Sequence, residues 1–234
     1  MKKIAVLQSN YIPWKGYFDI INMVDEFFIL DGVQYTKRDF RNRNLIKTPT
    51  GVRWITIPVK VKNRYLQKIN ETIIADNSWA EHHWNNIRQN YFKAAHFNEY
   101  KKLFENLYEN INSKNLSLIN LKFIKIINSL LKIKTKISYP DKSAENIKDK
   151  NLRLIEICKK SDADIYLSGP SAKDYLDSKA FENHKIKIEW ISYNNYPRYN
   201  QLFPPFNHFV SVLDLIFNQG LNAKTYMKSF NTKA

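Results

Sequence analysis

Two short apolar runs joined by an amphipathic stretch set the strongest limit on this fold. Ile4–Leu7 suits a buried strand, and it ends in a polar segment holding Pro13 and Gly16 that cannot continue it. Tyr17, Phe18, Ile20, Ile21 and Val24 then fall at helical spacing, and Glu26–Leu30 forms a second apolar run closing on Asp31. Strand, loop, helix and strand in so short a length is a βαβ unit, and its crossover makes the two strands parallel. Ligands of such sheets bind beyond the carboxyl ends of the strands. Gln8–Tyr17 and Asp31–Arg43 both occupy that edge.

The rest of the chain extends this unit. Around the Pro49-Thr50-Gly51 turn, Asn44–Lys47 and Val52–Val59 can pair as a hairpin with Trp54 and Ile55 on opposite faces. From Ser78 the period becomes helical and predicts three helices, Ser78–Ala95, Asn98–Ile111 and Leu116–Leu131. The final third returns to α/β. It reads as a helix over Ile147–Lys160, a strand Ile165–Leu167, a Ser168-Gly169-Pro170 turn, a helix Ser171–Leu176 and a strand Ile186–Ile191. A closing helix, Val210–Asn218, stops at Gly220, where a left-handed cap is expected. Asp141–Lys150, rich in Lys, Asp and Asn, reads as the most mobile loop. The expected architecture is a single α/β domain over residues 1–234, a Rossmann-like, doubly wound parallel sheet with a β-hairpin and a helical insertion over about 78–132.

Composition narrows the class. Apolar residues make up 44% of 234 residues, enough for a continuous core, and 14 Tyr and 14 Phe are spread along the whole chain. Met1-Lys2-Lys3 is followed by only four apolar residues, which argues against a secretory leader. Leu116–Ile133 is broken by Asn120, Lys122, Lys125, Asn128 and Lys132, so it reads as an amphipathic helix rather than a membrane span. The single cysteine, Cys158, rules out an internal disulfide and reads as a buried thiol; a cytoplasmic location fits. A net charge of +15 implies anionic partners. Much of that charge is Lys scattered in an Asn- and Ile-rich sequence, whereas Arg38, Arg41, Arg43, Arg53 and Arg64 are concentrated, and Arg suits planar recognition of phosphate.

Two segments carry the candidate chemistry. In Gln8-Ser9-Asn10-Tyr11-Ile12-Pro13-Trp14-Lys15-Gly16-Tyr17, backbone amides next to a helix start favour an anion. In Asp31 to Arg43, Asp31 can orient a hydroxyl or hold a metal, while Lys37, Arg41 and Arg43 can neutralise phosphates among Gln34, Tyr35 and Asn42. Ser168-Gly169 follows a short strand, and Tyr199 and Gln201 lie in a Pro-bounded aromatic loop that could cover the first turn. His82 and His83 are consecutive and lack the spacing of a helical zinc pair, His96, His184 and His208 are isolated, and no metal site is assigned.

Taken together, QSNYIPWKGYFD, FFILDGVQYTKRDFRNRN, WITIPV, the Trp79–Phe92 segment with HHW, YLSGPSAKDYLD and YNQLFPPFNHFVSVLDLIFNQG resemble the WbqC-like family over nearly the whole chain. That family occurs among bacterial O-antigen and surface-sugar genes. Ser9 stands where the family often has Pro, and Gly32 where it often has a second Asp, which weighs against a two-carboxylate metal site at Asp31. A remoter resemblance links Trp14-Lys15-Gly16-Tyr17 to the HxGH class of nucleotidyltransferase-like enzymes, without its histidines.

The resemblance implies an enzyme of surface-polysaccharide biosynthesis acting on a nucleotide-linked amino sugar, most concretely by N-acylation or aminoacylation. Gln8, Asp31 and Gln34 would orient the reacting groups. Trp14, Tyr17 and Tyr35 would stack on base or sugar, Lys37, Arg41 and Arg43 would hold phosphates, and Asn10, Tyr11, Asn42, Ser168, Gly169, Tyr199 and Gln201 would complete the pocket. A second reading is an amide ligase working through an acyl-adenylate, which requires ATP and Mg²⁺. A third is a non-catalytic module for RNA or assembly. The expected partner is a nucleotide sugar or nucleotide, nucleic acid is the lesser alternative, and a homodimer is compatible with the sequence.

Overall fold

The computed structural model describes residues 1–231. Its centre is a five-stranded, wholly parallel sheet. The strands are β1 (Lys3–Leu7), β2 (Glu26–Ile29), β5 (Lys136–Ser138), β6 (Ile165–Ser168) and β7 (Lys187–Trp190), in the spatial order β5-β2-β1-β6-β7. A separate antiparallel hairpin is formed by β3 (Arg43–Thr48) and β4 (Gly51–Thr56).

Alternation along each strand sends residues to two faces, as a sheet covered on both sides requires. Ala5, Phe27, Ile29 and Leu167 join one core with Phe18 and Ile21 of helix α1 (Lys15–Asn22). The same core takes in α2 (Trp79–Tyr91), α3 (Phe97–Glu109), α4 (Leu116–Leu130) and α8 (Val212–Gln219). Ile4, Val6, Phe28, Leu30 and Tyr166 face the opposite core. Their cover is α6 (Lys150–Lys160), which contributes Leu154, Ile155 and Cys158, and α7 (Ser178–Asn183), which contributes Phe181. Cys158 is fully buried, and burial pushes its thiol up to about 12.

This arrangement puts the topological switch point between β1 and β6. Crossovers from β1 to β2 and on to β5 move outward in one direction, whereas the chain then passes over β1 to β6 and β7 in the other. The hairpin shows the expected alternation, with Ile55 buried and Trp54 41% exposed. Helix α8 ends at Gly220, whose φ of +55° a side chain would resist.

Three expectations change. Ser171–Leu176 is a 3-10 turn over Pro170–Asp174 rather than an α-helix, because Pro170 starts it and too few residues follow to complete α-helical hydrogen bonding. Lys136–Ser138 joins the sheet although three residues, Lys, Ile and Ser, carry little strand pattern. Asp141–Lys150 contains helix α5 (Lys142–Glu145), capped by Asp141 on Ser143 N–H and fixed by the buried Ala144.

Candidate functional site

A cavity of about 940 Å³ lies at the switch point. Leu7 and Gln8 at the end of β1 meet Ser168 and Gly169 at the end of β6, with Leu30, Gly32 and Gln34 beyond β2. Val6, Leu154, Tyr166 and Ala172 supply apolar wall, and Ser171 and Tyr175 add polar groups. Four cations, Lys68, Lys148, Lys150 and Arg153, line it together with one acid, Glu145. Arg153 is held by its Nε–H to the Ile147 carbonyl at 2.8 Å. The Glu145 carboxylate meets no hydrogen-bond or ion-pair partner among the described residues. It lies directly over Gly32, where an added Cβ would come within 1.9 Å of its Cδ. An apolar floor, several donors and a net positive wall suit a ligand with an organic body and an anionic group.

The expected site residues divide between this cavity and the protein interior. Gln8, Gln34, Ser168 and Gly169 line the cavity. Asp31 is 1% exposed and accepts the Ser9 N–H at 2.8 Å and the Ser117 hydroxyl, so its carboxylate ties the first turn to α4. Asn120 completes this anchor by donating to Ser9 Oγ and to the Arg41 carbonyl. Tyr11 is fully buried, with its hydroxyl bonded to Tyr108 at 2.6 Å and to His83 Nδ1 at 2.9 Å. Tyr17 packs against Phe18 and Phe27 and donates to the Gln8 carbonyl, and Tyr35 is also in the core. None of these rings is free to stack on a ligand.

The cationic run turns elsewhere as well. Arg41 is taken by Asn10 and Asp39, and the Asn42 amide donates to the Ile57 carbonyl at 2.7 Å. Arg43 lies 4.1 Å from the Trp54 ring centroid, outside the cavity, and Lys37 lies over Tyr65. Ile12 carries a φ of +35°, which a β-branched residue resists, and the Asn44 amide holds this turn through the Tyr11 and Ile12 carbonyls.

A second polar cluster occupies the α1 face. Trp14 packs edge-on to Tyr193 and Tyr196 and tilts onto Phe209. Lys15 is 2% exposed, lies over the Tyr196 and Tyr199 rings, and has one long hydrogen bond to the Pro197 carbonyl, 3.4 Å. Burial pushes its amine down to about 8 against the opposing pull of Asp19 and Asp214. Asp214 is fully buried and accepts from Tyr199 at 2.5 Å, Gln201 at 2.8 Å and Tyr91 at 2.9 Å. Burial raises its carboxyl, and these donors resist the rise. Tyr199 and Gln201 therefore clamp their loop onto α8, and Tyr199 meets the first turn at Lys15.

His83 is buried and held well below the ordinary imidazole range, at about 4, because burial penalises its charge. Among the described residues no group of three His, Cys, Asp or Glu is arranged to hold a metal ion, and no helix is long and apolar enough to cross a membrane.

Sequence reasoning missed Lys68, Glu145, Lys148, Lys150 and Arg153. The available signal was topological: a chain crossing from β5 over β1 to β6 must pass the switch point, and Asp141–Lys150 lies on that path.

Fold and cavity define a doubly wound α/β protein with a cation-lined cavity at its switch point. Residues 8–226 match the WbqC-like protein family, and the chain belongs to it. It is 46% identical over 230 residues to the uncharacterized protein Rv1507c of Mycobacterium tuberculosis, covering 97% of this chain and 98% of that protein. No solved structure gives a significant match. Membership suggests a role related to polysaccharide biosynthesis.

Proposed function

We propose that this protein is an enzyme of surface-polysaccharide assembly that acylates the amine of a nucleotide-linked sugar held in the switch-point cavity. The observation that carries this reading is the pairing of a cationic wall with a single unpartnered carboxylate in one cavity. Lys68, Lys148 and Lys150 neutralise the diphosphate. Tyr166 and Leu154 back the apolar part of the ligand, and Gln8 and Ser168 hydrogen-bond sugar hydroxyls. Glu145 accepts the proton that the sugar nitrogen loses as it attacks the carbonyl of an activated acyl donor. The C–N bond forms, the donor's leaving group departs with the electron pair of its bond to the acyl carbon, and the proton rests on the carboxylate. Gln8 and Gln34 remain orienting residues, whereas the anchoring contacts of Asp31 favour a structural role.

The test is a melting screen over nucleotide sugars and free nucleotides, with and without ATP and Mg²⁺. Selective protection by an amino-sugar nucleotide, lost in Lys148→Ala and Lys68→Ala while their unliganded melting points stay put, is the expected result. Protection equal for every nucleotide, or unchanged in both variants, removes the assignment.

A further inference from the structure

The cationic segment that turns away from the cavity forms a surface of its own. Between residues 36 and 66 the chain carries nine Lys or Arg against one acid, Asp39, a net +8 within a total of +15, and of the nine only Lys47 is buried. The β3–β4 hairpin buries one face, through Ile46 and Ile55, and on the other face Val52, Trp54 and Thr56 of β4 point outward. On that outward face Trp54 is 41% exposed, the Arg43 guanidinium covers its ring at 4.1 Å, and Phe40, 45% exposed, tilts against it at 5.6 Å. A second exposed ring on the same segment, Tyr65, lies near the Lys37 amine. Arg38 and Arg64 are exposed on the same segment, and Asp39 is already engaged by Arg41.

Exposed aromatic rings are costly to leave in water, and here Trp54 and Tyr65 each lie against a cation, with Phe40 packed beside Trp54. A protein partner would have to desolvate several guanidinium and ammonium groups to reach Trp54. A polyanion that also presents flat rings satisfies both features at once: its phosphates meet the arginines, and its bases stack on Trp54 and Tyr65. Duplex DNA keeps its bases stacked inside, whereas the loops and ends of RNA offer unstacked ones. We propose that the outward face of the β3–β4 hairpin, with Phe40 and the 60–66 segment beside it, binds single-stranded RNA. This surface stands independently of the cavity reading.

The experiment measures binding of the full chain to a fluorescent single-stranded oligoribonucleotide of twelve mixed nucleotides, across a range of salt. The expected result is an affinity whose logarithm falls linearly with the logarithm of salt concentration. Trp54→Ala and Arg43→Ala should each weaken it at least fivefold, Trp54→Phe should restore most of the loss, and Phe209→Ala, an exposed ring that tilts onto Trp14 instead, should leave it unchanged. Circular dichroism confirms that each variant is folded. Equal affinity for the matching DNA oligonucleotide overturns the RNA assignment. Affinity indifferent to Trp54 and Arg43, tighter binding to anionic lipid vesicles, or a dimer that Trp54→Ala dissolves in place of RNA binding overturns the surface.

Discussion

Gly32 and Glu145 form a lock and its key: the carboxylate fills the space that any side chain on residue 32 would need, within 1.9 Å of an ideal Cβ. One residue lies three positions beyond β2 and the other ends α5, so the contact joins two crossovers at the switch point. Gly32→Ala should therefore displace the Glu145 side chain, which is free to swing because no partner holds it. The melting point should change little, since the displaced group is the far end of a flexible chain. Turnover of the acyl transfer should fall as far as in Glu145→Gln, roughly ten- to a thousandfold for a lost proton acceptor. The double variant should fall no further than either single one, because both remove the same carboxylate. Additive losses would show that Gly32 serves something other than the placing of Glu145.

Asp31 gives a contrasting expectation. Its oxygens accept the Ser9 N–H and the Ser117 hydroxyl in a site sealed from water, so replacing it by Ala strands both donors. Each buried donor left without a partner costs about 1–3 kcal/mol. Asp31→Ala should lower unfolding free energy in urea by about 2–6 kcal/mol, and the protein that remains folded should bind its ligand as tightly as before. A folded Asp31→Ala protein that has lost ligand affinity would return this carboxylate to the active site.

The sheet was legible because its information is local. Ile4–Leu7 and Glu26–Leu30 are apolar on consecutive residues, as strands covered on both faces must be, and the amphipathic Tyr17–Val24 stretch between them admits one connection. The same logic placed Gln8 and Ser168 side by side, since parallel strands end at one edge. The direction of side chains in the 31–43 segment was not legible. Charge and aromatic content showed that Arg41 and Arg43 could hold an anion, yet their orientation depends on Asn10, Asp39 and Trp54, which no periodicity encodes. Two of the four cations that line the cavity, Lys148 and Lys150, sit in Asp141–Lys150, whose polar composition resembles a loop. What orders it is a capping carboxylate, Asp141, also bound by Lys160 at 2.9 Å, and one buried alanine.

Lys15 supplies a prediction in pH. Its amine is enclosed between Tyr196 and Tyr199, and burial lowers it from the ordinary 10.5 to about 8. Between those two values the unfolded chain holds the proton and the folded chain releases it, so this group makes unfolding free energy rise with pH across that window. Below about pH 8 both states hold the proton, and the folded state bears the full cost of an enclosed charge. Other groups act in the opposite sense: burial raises the Cys158 thiol to about 12, so it costs stability above the thiol's ordinary pKa, and the buried tyrosines follow at higher pH. The clean measurement is the difference between the native protein and Lys15→Met, in which those groups are common to both. Met keeps the length and apolar character of the side chain without its charge. At pH 7 the variant should be the more stable of the two in urea, and its advantage should shrink steadily between pH 8 and pH 9.5 as the native lysine sheds its proton. A constant difference across that range would show that Lys15 stays charged when folded, held by Asp19 and Asp214 as a buried ion cluster.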